Sequence, residues 1–285
     1  MARIPPSMSI ETEMECGRKE VVGSQTLQRI AEQLQCYKTP SLIEELENVT
    51  GRNMGSKFGI MDHVEGENGL FTHANWRKRR AAVLICLFEG KQGELRVILT
   101  KRSMKLSSHP GDVALPGGKM EEGDDDDSAT ALREAMEEIG LDSYLVQVVA
   151  KLEPFISQNQ LRVVPVVGLL AKIEDFSPVL NCDEVDAVFD VPLEMFLKGG
   201  NSGKQGGLGD LETVDNHRCE ERAWKSWKYV FHCFDCETEQ GAFTICGLTA
   251  SILIRAASVV YQQIPCFSSN LPDFQQLQRA LSNAA

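Results

Sequence analysis

The sequence predicts an α/β fold in which a mixed sheet lies between helices. Two observations carry that prediction. From Arg79 onward, apolar runs of strand length alternate with stretches of helical periodicity. The first two runs, 81–88 and 95–100, flank a Glu89-Gly90 turn and read as a hairpin, which brings antiparallel pairing into the sheet. An apolar fraction of 42% across 285 residues supports a proper core.

Taken in order, residues 1–22 read as disordered. Residues 24–34 form an amphipathic helix with Leu27, Ile30, Ala31 and Leu34 on one face. Residues 38–78 mix Gly and Asn turns, so 23–78 is an N-terminal extension with one helix, either packed on the core or forming a homodimer contact. The main domain is expected over 79–262. Its strands are 81–88, 95–100 and a short apolar run, Val113-Ala114-Leu115, that ends in Pro116-Gly117-Gly118. An acid run, Asp124 to Asp127, then precedes a helix whose cap is Asp or Ser. Gly140 stops that helix. Strands follow at 146–152 and 161–170, and 188–197 runs from a strand into a short helix. Residues 199–221, rich in Gly and polar groups, read as a mobile insertion. A strand at 227–234 and a helix at 248–261 close the domain, with Leu248, Ile252, Leu253, Ala256 and Val260 facing in. Residues 263–285 are expected to be a C-terminal tail or helix. There are no internal repeats.

The chemistry is concentrated in one helix. Glu134, Glu137 and Glu138 are spaced i, i+3, i+4, so three carboxylates share a face behind the Gly117-Gly118 turn. Like charges at that spacing weaken a plain helix. A hard divalent cation, Mg²⁺ or Mn²⁺, converts the cost into affinity and bridges to phosphate oxygens. The residues therefore point to metal-assisted hydrolysis of a phosphoanhydride. The competing reading is a solvated acidic helix face. The Gly-Gly turn, the Arg133-Glu134 pair and the closing Ile139-Gly140-Leu141 favour a site.

This segment resembles the Nudix box, G-x5-E-x7-R-E-U-x-E-E-x-G-U with U a bulky apolar residue. Residues 133–141 match it, with Ala135 small for the first U. Counting back from Arg133 puts Asp125 at the upstream acid, one residue further from Gly118 than the box allows. Glu121, Glu122, Asp124 and Asp125 are thus the candidates. Residues 99–118 resemble the motif of the coenzyme A diphosphatase branch, L-L-T-x-R-[SA]-x3-R-x3-G-x3-F-P-G-G. Leu99, Thr100, Arg102, Ser103, Gly111 and Pro116-Gly117-Gly118 match, while Ser107 replaces Arg and Leu115 replaces Phe. The resemblance covers about residues 79–262 and implies a Nudix-type α/β/α sandwich. It also implies cleavage of coenzyme A and its acyl forms to 3′,5′-ADP and 4′-phosphopantetheine products.

In that reading Glu134, Glu137 and Glu138 hold the metal and Arg133 orients a carboxylate. Glu184 is the first candidate for the acid that deprotonates water, and Glu153 the second. Arg102 and Lys105 supply positive charge to phosphate, since a guanidinium suits bidentate contact and lysine acts as a point charge. His109 contacts a phosphate or caps its loop. Gly117 and Gly118 let substrate approach the backbone. Trp224, Trp227 and Phe155 either stack on adenine or belong to the core. The alternative enzyme reading is a broader hydrolase of NADH, ADP-ribose or oxidised nucleotides. A silent ligand-binding protein is a third class, against which the self-repelling trio argues.

Forty-one acids against 29 bases give a net charge of −12, which argues against general nucleic-acid binding. A small-molecule substrate is the expected partner. No run is long and apolar enough to span a membrane. The acidic N-terminal stretch lacks a signal-peptide core. Cytosol is the expected compartment, with mitochondria or another organelle left open. The nine cysteines are scattered and read as reduced rather than as a disulfide framework. Cys233 and Cys236, with His217, Cys219 and His232 nearby, invite a zinc reading, but there is no second C-x2-C, so they read as structural thiols.

Overall fold

A computed structural model describes residues 23–37, 80–157, 161–198, 216–224 and 227–269. The expectations for 1–22, 38–78, 199–215 and the end of the tail lie outside the described residues, as do the side chains of Trp224 and Trp227.

Strand β1 (Arg80–Glu89) is the centre of an eight-stranded mixed sheet. Its other members are β2 (Leu95–Arg102), β3 (Val113–Ala114), β4 (Gly117–Lys119), β5 (Val146–Lys151), β6 (Phe155–Ile156), β7 (Arg162–Leu170) and β8 (Val185–Pro192). β1 runs parallel to β7, and its antiparallel neighbours divide its other edge. On β1, β2 takes Leu87, Phe88 and Glu89. β4 takes Ala81, Ala82 and Val83. The Gly-Gly turn is therefore strapped to the beginning of the central strand.

Because side chains alternate along a strand, β1 feeds two cores. Ala81, Ile85 and Leu87 face helices α1 (Gln25–Gln35) and α3 (Gly247–Tyr261), packing with Leu27, Leu34, Leu253 and Ala256. Ala82, Leu84, Cys86 and Phe88 face helix α2 (Asp127–Ile139), packing with Ala131, Ala135 and Ile139. This is the α/β/α sandwich that the sequence predicts. Phe155 packs against the first core, so its aromatic ring is structural.

α1 starts at Ser24, whose hydroxyl accepts from the Leu27 N–H at 3.3 Å. Its far end is held by a triad around the buried Glu153. The Tyr37 hydroxyl donates to Glu153 Oε1 at 2.5 Å, and Arg255 of α3 donates to both Glu153 oxygens. Burial raises the Glu153 carboxyl, but Arg255 and Tyr37 outweigh it and hold the group below its usual range. Glu153 is only 1% exposed. The candidate role for Glu153 as the water-activating acid is thereby corrected: its oxygens join the two helices.

A second, antiparallel sheet has the order β11-β10-β9, from β9 (His217–Trp224), β10 (Trp227–Thr238) and β11 (Gly241–Cys246). Here the structure departs from expectation in three ways. The end of the 199–221 insertion is strand β9, whose polar side chains suit an edge. β11 is an additional strand. The cysteines are not all reduced, because the register sets Cys233 directly opposite Cys246 and the two are joined as a disulfide, with Cα atoms 4.2 Å apart. No described helix is long and apolar enough to cross a membrane.

Arg255→Ala should leave Glu153 buried without a counter-charge. Urea denaturation is expected to show a loss of about 2 kcal/mol, below the figure for a fully buried pair because Arg255 is partly exposed. Hydrolytic activity per folded molecule should persist. A stability equal to the parent chain would show that the triad does not join α1 to α3.

Candidate active site

The site is built where the β4 turn meets α2. The Asp126 side chain caps α2 by accepting from the Ala129 N–H at 2.9 Å, and it also pairs with Lys151 at 2.6 Å. Asp127, inside the first turn, pairs with Arg80 at 2.7 Å and so ties the helix to β1. Gly140 ends the helix in the left-handed region, at φ +71°, as its sequence position predicts.

Arg133 is the hub. Its Nε and Nη2 donate to the two oxygens of Asp124 at 2.9 and 3.0 Å, a bidentate pair. The same guanidinium reaches Glu134 Oε1 at 3.1 Å, Glu137 Oε2 at 3.0 Å and the Lys119 carbonyl at 3.0 Å. Asp124 also accepts from the Thr130 hydroxyl and the Glu121 N–H. With Arg133 beside it, the Asp124 carboxyl sits well below the usual carboxylate range. Asp124, rather than the Asp125 reached by counting, thus occupies the upstream acidic position facing Arg133. The extra residue falls between this acid and Arg133, and Asp125 is exposed.

Gly117 and Gly118 do two different things. Gly117 has φ +152°, and a Cβ there would lie 2.3 Å from the Ala82 carbonyl, so only glycine fits against β1. Its N–H donates to Glu138 Oε2 at 3.1 Å. A Cβ on Gly118 would lie 2.4 Å from the Glu134 carboxylate, so the absence of a side chain is what lets that carboxylate lie against the turn.

The carboxylates differ in setting. Glu137 is exposed. Glu138 is only 5% exposed, and burial pushes its carboxyl up to about 7, with Glu134 and Glu184 adding to the rise and Gly117 and Arg102 opposing it. Burial also raises Glu134, where Arg133 opposes it and Glu137 and Glu184 reinforce it. Glu184 therefore shares the field of both helix carboxylates, although it lies 46 residues beyond Glu138 in the chain. Backbone bonds hold it there: Ser103 N–H donates to the Glu184 carbonyl at 2.8 Å, and Asn181 N–H to the Glu138 carbonyl at 3.0 Å.

Arg102 ends β2 beside this cluster, with its Nε buried and lacking a hydrogen-bond partner among the described residues. Lys105 is exposed and pairs with Asp183 at 2.9 Å, a contact that the sequence reading did not include. His109 turns to Asp112 within its own loop, at 3.1 Å. The fold thus brings Arg133, Glu134, Glu137, Glu138, Glu184, Arg102, Gly117 and Gly118 together. The partners of Lys105 and His109 are local acids.

An all-oxygen donor set suits a hard cation, and two observations test the fit. Gly118 leaves room for Glu134 where a Cβ would collide, and Glu138 is buried beside the half-buried Glu134 and Glu184. A divalent cation would offset the repulsion among these carboxylates.

The NUDIX domain family model matches residues 78–224. The protein named Nudix hydrolase 15, mitochondrial, of Arabidopsis thaliana is 55% identical over 200 residues, covering 70% of this chain and 65% of that protein. The chain therefore spans just under two thirds of that relative's length. Nudix hydrolase 22, chloroplastic, of the same plant is 48% identical, covering 89% of this chain and 79% of that protein. The mouse protein named peroxisomal coenzyme A diphosphatase NUDT7 is 34% identical, with 68% and 76% covered. Among solved structures, a MutT/nudix family protein from Enterococcus faecalis is 13% identical with a TM-score of 0.37, covering 87% of this chain and 94% of that chain.

Asp124→Asn and Asp125→Asn separate the two assignments of the upstream acid. Removing the charge that Arg133 grips should cost about 1–3 kcal/mol in chemical denaturation. The exposed neighbour should change stability by less than about 0.5 kcal/mol. Equal effects would return the position to Asp125.

Proposed function

The chain belongs to the Nudix family, and on that premise we propose that it hydrolyses the pyrophosphate bond of coenzyme A and acyl-coenzyme A. The products are 3′,5′-ADP and 4′-phosphopantetheine or its acyl form. Water adds to one phosphorus, the bridging P–O bond breaks, and the water proton passes to a carboxylate. The observation that carries the reading is the cluster of Glu134, Glu138 and Glu184 around the Gly-Gly turn, with the unpartnered Arg102 Nε beside it.

A divalent cation, Mg²⁺ or Mn²⁺, supplies charge neutralisation at the phosphate oxygens when bound. Glu134, Glu137 and Glu138 are its proposed ligands. Arg133 holds Glu134 and Glu137 in place and keeps Asp124 behind them. Glu184 approaches from the β8 side and is the proposed acceptor of the water proton. Arg102 takes a substrate phosphate, Lys105 joins it by exchanging Asp183 for that phosphate, and His109 borders the same loop. The backbone at Gly117 and Gly118 lets the anhydride approach.

Coenzyme A as substrate is supported by the 99–118 motif and by the name of the mouse relative. The alternative, a broader nucleoside-diphosphate-linked hydrolase, uses the same carboxylates. Product analysis with coenzyme A, dephospho-coenzyme A, NADH and ADP-ribose decides between them. Preferred release of 3′,5′-ADP from coenzyme A is expected. Equal or better cleavage of substrates without a 3′-phosphate would overturn the coenzyme A assignment and leave the reaction class standing. The organelle names of the two plant relatives support an organellar compartment over the cytosol. Imaging a tagged full chain tests this.

Two further outcomes are expected. Glu137→Gln deletes a ligand charge with little change in volume, so turnover should fall by about 100-fold with thermal stability retained. Parent-like activity would remove Glu137 from the ligand set. The second outcome concerns pH. The Glu138 carboxyl is raised from 4.5 to about 7, so the stability it contributes is complete at low pH and is lost as pH rises through about 7. A bound cation offsets that loss only where the group is ionised. Mg²⁺ should therefore raise Tm more at about pH 8 than at about pH 5.5. A shift independent of pH would show that Glu138 does not meet the cation.

A further inference from the structure

Outside the carboxylate cluster, β9 and β10 bring together three side chains that the proposed reaction does not use. The strand register sets Cys219 directly opposite His232, and His217 opposite Phe234. Residues two apart on a strand share a face, so His217, Cys219 and His232 project to the same side of the ribbon. One ligand atom from each lies within 4.8 Å of the others. His217 and His232 are buried, and Cys219 is exposed.

The geometry points to a binding site for a borderline-soft divalent transition metal such as Zn²⁺, held by His217 Nε2, Cys219 Sγ and His232 Nδ1. The tautomer of His232 supports it. Its Nε2 lies 2.9 Å from the Ser269 carbonyl, which only accepts, so Nε2 carries the proton and Nδ1 presents a lone pair. A histidine that ligates a metal commonly gives its other N–H to such a carbonyl, which fixes ring orientation. His232 Nδ1 and His217 Nε2 are 3.0 Å apart and share one hydrogen bond. Two nitrogens on a tetrahedral zinc, each about 2.1 Å from it, lie about 3.4 Å apart. Seating the metal therefore needs the two nitrogens about 0.4 Å further apart, each ring turned so that its lone pair meets the metal off the N–N line, and the Cys219 sulfur drawn in. The rings are held ready for it: His217 stacks on Phe234 at 4.5 Å and lies 4.1 Å from Phe267, while His232 lies 5.3 Å from Phe267.

Loading the metal moves the His217 proton from Nε2 to Nδ1 and releases the Cys219 thiol proton to solvent, so one proton leaves per metal bound. The exposed thiol is the entry side. With three protein ligands, a fourth position stays available to water or another donor. Cys233 takes no part, since it is joined to Cys246, and C-x2-C spacing is not what forms the site. The bound metal would tie β9 to β10 and, through His232, to the chain at Ser269.

Co²⁺ is the probe, because a cobalt–thiolate bond gives a charge-transfer absorption that oxygen ligands do not. The full chain is stripped with a chelator and titrated with Co²⁺ in the presence of excess Mg²⁺, which occupies carboxylate sites. One equivalent of thiolate charge-transfer absorption is expected, displaced by Zn²⁺ and lost in Cys219→Ser. That exposed substitution should leave folding and Mg²⁺-dependent hydrolysis unchanged. Zn²⁺ should raise Tm in the parent chain and not in Cys219→Ser. Absence of the absorption in the parent, or its survival in Cys219→Ser, would overturn the site. Neither result bears on the hydrolytic reading, which uses different residues.

Discussion

The Arg133 guanidinium is the contact on which the acidic site depends. It binds Asp124 in bidentate fashion, steadies Glu134 and Glu137, and closes on the Lys119 carbonyl. Without a cation of its own, the chain would bring several carboxylates together with little to oppose their repulsion. Arg133 supplies fixed positive charge on one side of the cluster and leaves the side toward Glu138 and Glu184 undercompensated. That asymmetry is useful for chemistry. Burial pushes the Glu138 carboxyl up to about 7, with Glu134 and Glu184 adding to the rise, so a proton or a nearby positive charge would offset the cost of burying it.

The sheet makes this charge arrangement rigid. β1 lies between two cores and lends its first residues to β4, so the Gly-Gly turn is held by ladder hydrogen bonds rather than by a free loop. α2 packs Ala131, Ala135 and Ile139 on the same strand's other face, which aims its glutamates at the turn. β8 pairs along β2 and delivers Glu184 to the far side of the cluster. Three separate stretches of chain are thus registered by one sheet. Sites on such elements keep their geometry better than sites on loops.

Much of this was legible in the chain because its causes are local. The α2 carboxylates follow from 3.6-residue periodicity, Gly140 from the need for a left-handed cap, and the two-sided burial of β1 from its unbroken apolar run. Counting left the upstream acid open among Glu121, Glu122, Asp124 and Asp125 for an equally physical reason. Asp125 has the spacing to Arg133, but Asp124 has the direction and the Thr130 and Glu121 partners that bring it there. The β9 strand was hidden because an edge strand can be polar, and the Glu153 triad because none of its three members is near another in sequence.

The sequence by itself determined the fold class, from the order of its apolar runs, and the acidic helix, the Gly-Gly turn and the kind of chemistry they suit, from short-range spacing and residue type. Tertiary structure alone decided which acid faces Arg133, that Glu184 joins the cluster while Glu153 does not, that Cys233 meets Cys246, and that two histidines and a cysteine converge on β9 and β10. Those outcomes depend on strand register and on burial. Both are set by packing between distant segments, and no local pattern encodes them.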